Sequence, residues 1–203
     1  MKLNLFKLIF QFKTKLKIFR IFILCKMDNT ERDNSSGEEP DVDTFSTTCM
    51  YEDIAEVVRE YEFLSQKYGE DNLFDMLNDG MEAAASAEKP EIITFLASKG
   101  CRNTNTSIPT ACQTGSIETV QALINTLELP FSNFSHHGEA LEEAAQKSLA
   151  LTRLILDRFS ADLSYSDLEK AWLIAQDAEN EDNEDREEII ALLRERMNNV
   201  GEQ

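Results

Sequence analysis

The densest chemistry-bearing run in the chain is DAENEDNEDREE at residues 177–188. It is twelve residues long, opens on Asp177 and closes on Glu188. That is the frame of an EF-hand calcium loop, in which carboxylates at alternate positions surround the ion. Glu179 and Glu181 stand at its third and fifth positions, but Asp182 replaces the sharp-turn glycine and Glu184 the apolar eighth residue. A solvated acidic loop able to attract a basic partner segment is the better reading. The two histidines, His136 and His137, sit in the polar stretch 132–138. Acid–base or nucleophilic chemistry would need a positioned nucleophile and a pocket around them. Their surroundings supply neither, so they read as an exposed loop pair. Phe131 and Phe134, both a few residues before the pair, read as packing beneath that loop. The cysteines, Cys25, Cys49, Cys101 and Cys112, form no CxxC pair and no zinc-ligand spacing with histidine. They read as reduced thiols, with Cys101 and Cys112 filling small packing positions. No glycine-rich phosphate loop, GxSxG or HExxH pattern occurs. The expectation is therefore no catalytic residue, no cofactor and no metal.

The elements that carry these residues follow from composition. The 203 residues hold 20 Lys+Arg against 38 Asp+Glu, a formal charge of −18. Such a surface repels phosphate backbones and argues against a nucleic-acid partner. Seven glycines, four prolines and 42% hydrophobic residues, rich in Ala, Leu and Glu, favour packed helices.

Residues 1–26 are unlike the rest. They carry seven basic residues, from Lys2 to Lys26, and no acid, with Phe, Ile and Leu between them. Without them the chain has 13 basic and 38 acidic residues, or −25. Lysines interrupt every apolar run, which disfavours a signal peptide and a membrane span. Two readings stay open: a basic amphipathic helix lying on a membrane surface, or a mispredicted start, in which translated AT-rich noncoding sequence precedes Met27 as the natural N-terminus. The stretch 27–47 is polar and acidic, too poor in apolar side chains to offset the entropy of ordering, and is expected to be disordered. The domain is expected over residues 48–198, with its core repeats at 80–197 and a frayed end at 199–203.

From residue 48 the hydrophobic spacing is helical. Ile54, Val57, Val58, Tyr61 and Leu64 share one face of a helix ending near Gly69. A short apolar piece with Leu73, Phe74, Met76 and Leu77 follows. Then a pattern repeats: an apolar residue followed three positions later by alanine, at Met81–Ala84, Ile108–Ala111, Leu141–Ala144 and Leu168–Ala171. The alanines are 27, 33 and 27 residues apart. After each comes a polar turn and a greasier helix, as in EIITFLASKG at 91–100 and LTRLILDRF at 151–159. One such pair cannot bury its apolar face alone, so neighbours must stack. Local signals agree: Pro90 suits a first helical turn, Gly100 a helix end, Thr114-Gly115-Ser116 a turn and N-cap, and Ser166 to Glu169 a capping box. Trp172 is expected to cover the last apolar face of the stack.

These units resemble ankyrin repeats. AASAEKPEIITFLASKGC at 84–101 is similar to the family pattern AAxxGxxEIVxLLLxxGA, ACQTGSIETVQALI at 111–124 keeps the turn glycine and the acid, and 144–162 keeps the ending Ala161-Asp162. No Thr-Pro-Leu-His tetrapeptide is intact, and two units are about six residues short of the usual ~33, which implies stunted fingers at 102–107 and 163–166. The resemblance implies an all-α fold: a short α-solenoid of stacked helix–turn–helix, ankyrin-like repeats with a disordered N-terminal tail. Another α-solenoid of helix pairs is the runner-up. It further implies a non-enzymatic protein–protein interaction module, cytoplasmic or nuclear, whose partner contacts fall on the fingers and first helices: Arg102, Asn103, Asn105, Phe134, His136, Tyr165 and Asp167. The alternative function is a peripheral membrane-anchored repeat protein using residues 1–26, and a third is a decayed domain that needs a partner for stability.

Overall fold

In a computed structural model of the chain, residues 41–127, 134–177 and 185–201 are described. They form ten α-helices and one 3-10 turn, with no strand among the described residues. The helices are α1 Phe45–Tyr51, α2 Ile54–Tyr68, α3 Phe74–Ser86, α4 Pro90–Ser98, α5 Thr104–Thr114, α6 Ile117–Thr126, α7 His137–Lys147, α8 Leu149–Phe159, α9 Tyr165–Ala175 and α10 Arg186–Gly201. The 3-10 turn, Glu70–Asn72, lies between α2 and α3.

Each boundary has a local cause. The Asp53 carboxylate accepts from the amides of Ala55 and Glu56 and starts α2. Pro90 is the first residue of α4, where its missing N–H costs nothing. Gly100, at φ 97, closes α4: its amide bonds Ala97 O, and the Cys101 amide bonds Leu96 O. That is the paired bonding of a left-handed glycine terminus. Gly115, at φ 95, ends α5, and Ser116 caps α6. The expected capping box is two residues early: Ser164, not Ser166, caps α9, in reciprocal bonds with Asp167. Ser164 is the last extended residue before the helix, so its side chain meets the free amides.

Two of the predicted limits also move. The helical part starts at Phe45, not 48. Phe45 and Cys49 are one turn apart and both fully buried, held against α3. The sequence hides this because α1 is seven residues long, too short to hold itself without tertiary contact. At the other end, α10 continues through Gly201. Residues 1–40, Phe131 and most of the acidic run, 178–184, lie outside the described residues.

The repeated residues are the core. Met81, Ile108, Leu141 and Leu168 are buried, as are Ala84, Ala111, Ala144 and Ala171. α1 packs on α3, α3 on α5, α5 on α7 and α7 on α9. The alternate helices make a second series, α2 on α4 on α6, then α8 on α10. α6 and α8 share at most a glancing contact. Small side chains set the spacing in the first series. A Cβ built on Gly80 would stand 3.0 Å from Cys49 Sγ and 3.0 Å from Phe45 Cε1, so only glycine lets α1 lie this close.

Glu88 is the one non-glycine residue at positive φ among the described residues, at 57°. It closes the turn between α3 and α4, the point where the repeat pattern carries glycine. Left-handed backbone costs an L-residue roughly 1–2 kcal/mol, and glycine escapes most of it. Glu88→Gly is therefore expected to raise stability by about 1 kcal/mol in urea unfolding, with an unchanged denaturant slope.

One carboxylate is buried against α1. Glu60 of α2 is only 6% exposed and accepts from the Thr44 hydroxyl at 3.3 Å. Burial raises its pKa above the ordinary 4.5, Thr48 and Thr44 pull it partly back, and Glu56 adds to the rise. The folded state thus holds this proton more tightly than the unfolded chain. Its stabilising contribution is full below the unfolded value and is lost as pH rises through the higher folded one. Glu60→Gln keeps the acceptor for Thr44 and removes the charge. It is expected to raise the melting temperature at pH 7.5 and to leave it unchanged near pH 4.

Candidate functional site

The polar side chains at the start of the first-series helices are tied to one another. Asn103 precedes α5 and donates through Nδ2 to the Asn78 carbonyl of α3 at 3.1 Å. Its own Oδ1 lies 3.1 Å from the Thr106 hydroxyl, which also lies 3.0 Å from a Glu82 carboxylate oxygen. Asn105 accepts the Ser135 amide at 2.9 Å, linking α5 to the segment before α7. Gly138 of α7 faces the Asp167 carboxylate so closely that a Cβ there would collide with it. Burial alone would raise the Asp167 carboxyl. The Ser164 hydroxyl and amide, with Lys170 and His137 nearby, bring it below the ordinary aspartate value.

The seven expected contact residues therefore separate. Arg102 is spent on structure: its guanidinium donates to the carbonyls of Ala97 at 3.0 Å and Cys101 at 2.6 Å, capping α4. Arg186 does the same for α9, bonding Ala175 O and Gln176 O. Asn103 and Asn105 carry the helix-to-helix bonds just described, and Asp167 bonds Ser164 at the start of its own helix. Phe134 is half-buried, 4.7 Å from the His137 ring and 4.9 Å from Phe159. His136 is exposed, with Nδ1 3.1 Å from Glu139, and Tyr165 is 47% exposed.

The histidines are not the loop pair expected. His137 is the first residue of α7, its side chain only 16% exposed, and its ring sits 5.0 Å from Phe159. Its ring packs against both Phe134 and Phe159, which two adjacent histidines in a polar stretch do not reveal. Trp172 is half-buried on α9 against the core, with the Arg194 guanidinium 5.7 Å from its ring.

A row of surface residues escaped the sequence reading. Counting back five positions from each buried alanine reaches Asp79, Thr106, Glu139 and Ser166. All four are exposed. The register was already set by the alanines and could have located this row. Glu143 adjoins it on α7. Burial raises its carboxyl, Lys147 opposes the rise, and Glu139 and Glu142 add to it.

The three described cysteines are buried thiols. Burial pushes the thiols of Cys49 and Cys112 up to about 12 and that of Cys101 to about 11. Cys101 and Cys112 fill packing positions as expected, and Cys101 Sγ donates to Leu77 O at 3.2 Å. Among the described residues no group of three or more His, Cys, Asp or Glu could hold a metal ion. No described helix is long and apolar enough to cross a membrane. Comparison with known proteins finds no family model, no curated protein and no solved structure that matches the chain.

Proposed function

We propose that the chain is a non-enzymatic protein-recognition module whose helix pairs stack in the manner of short, degenerate ankyrin repeats. One observation carries this reading: every first-series helix packs on the next first-series helix, two elements further along the chain. That order lines up equivalent positions from successive units as a continuous row. Such a row suits an extended partner segment better than a small molecule. Its chemistry favours a basic one, since Asp79, Glu82, Glu139 and Glu169 are exposed along it. Unpaired thiols in the core fit a reducing compartment, cytoplasmic or nuclear.

The test is quantitative affinity capture with three baits: the native chain, His136→Ser with Tyr165→Ser, and Gln121→Ser with Arg153→Ser on the second-series surface. Bound partners should fall by about tenfold for the first pair and stay level for the second, as expected when exposed aromatic anchors are removed. Loss on the second-series pair alone would sink the assignment of the face.

A further inference from the structure

One aromatic face at the N-terminal end is left exposed by the described residues. α2 turns Val57, Val58, Tyr61 and Leu64 into the core. On its outer side Phe63 and Tyr68 stay exposed, at 37% and 40%, and Lys67 Nζ lies between them at 5.5 Å and 5.3 Å from the ring centroids. Scattered single apolar residues need no explanation, but this is a pair sharing one cation. The end is also strongly acidic. Residues 41–75 hold ten carboxylates and two cations, Arg59 and Lys67, and two further lysines reach this end, Lys89 at Glu52 O and Lys99 over the Tyr61 ring. Arg59 is engaged by Glu56 at 2.6 Å.

The same chain carries a segment of opposite character, with seven basic residues, no acid, and Phe10, Phe12, Phe19 and Phe22 among its apolar side chains. We propose that residues 1–26 lie across the outer face of α2, setting aromatic side chains on Phe63 and Tyr68 and lysines among the surrounding carboxylates. Three considerations favour this occupant. The charges are complementary on both sides of the contact. Residues 27–40 can span roughly 45 Å when extended, about twice the ~22 Å length of α2, so the tether reaches every part of the face. A tether this short holds the segment at an effective concentration in the millimolar range, so a weak face suffices. An anionic membrane is the competing occupant, but it repels the −25 carried by the rest of the chain.

The contact is independent of the proposed recognition row, and its failure would leave that reading untouched. The test uses the full chain with photoreactive benzoylphenylalanine in place of Phe19. Illumination should give adducts within residues 54–75 and within one chain, as mixed light and heavy isotope populations report. Phe63→Ser with Tyr68→Ser should lower their yield roughly fivefold, as should 1 M salt. Adducts elsewhere in the domain, adducts only between chains, or no protein adduct would overturn the proposal. So would a native intact mass that starts at Met27. The illumination is repeated with vesicles of phosphatidylcholine and phosphatidylserine. Retention of the intrachain adducts supports the proposal, and their complete replacement by lipid adducts overturns it in favour of a membrane anchor.

Discussion

Leu141→Ala should lower the stability of the protein by about 3 kcal/mol, seen as a fall of roughly 6–12 °C in melting temperature. Leu141 is fully buried on α7, the helix that packs at once on α5, α8 and α9. Removing its branched end forfeits apolar transfer energy and leaves a hole whose walls are other helices. Those helices are held by their own neighbours and cannot all move inward. The buried alanines on either side, Ala140, Ala144 and Ala145, have no length with which to fill the space. Circular dichroism with thermal unfolding measures this directly. A change under 1 kcal/mol would mean that α7 is not the centre of the packing.

Gly80→Val should cost about 2–3 kcal/mol, with a local signature. The new side chain enters space already held by Phe45 and Cys49, and overpacking of this kind is relieved by moving the weaker element. α1 is that element, with seven residues and no side-chain cap at its start. Hydrogen exchange should accelerate across 45–51 while protection over 140–156 is retained. The Gly80→Ala variant, smaller by two methyl groups, should show the same pattern at reduced size. Uniform loss of protection across the chain would refute the local account.

Helices and core positions were legible where periodicity and punctuation agreed. The stripe Ile54, Val57, Val58, Tyr61 and Leu64 fixed α2, and the four apolar–alanine pairs marked side chains that are buried. Pro90, Gly100 and Ser116 act in the turns as their types suggest. What escaped were features created by tertiary contact. α1 has too few residues for a periodic signal, and its order comes from α3. Arg102, Asn103, Asn105 and Asp167 looked like surface recognition residues because they are polar and lie between helices. Arg102 and Asp167 bond groups a few residues away at their own helix ends, whereas the bonds of Asn103 and Asn105 to neighbouring units are invisible until those units are side by side. His137 was hidden for the same reason, since the aromatic ring that shelters it, Phe159, stands 22 residues away.

The glancing approach of α6 to α8 gives the molecule a built-in tear line. On either side of it, load is shared by two series of helices. Across it, load passes through the packing of α5 on α7 and the Ser135–Asn105 bond. Bending is therefore expected to concentrate at that seam, the most compliant joint that a partner of the proposed row would meet.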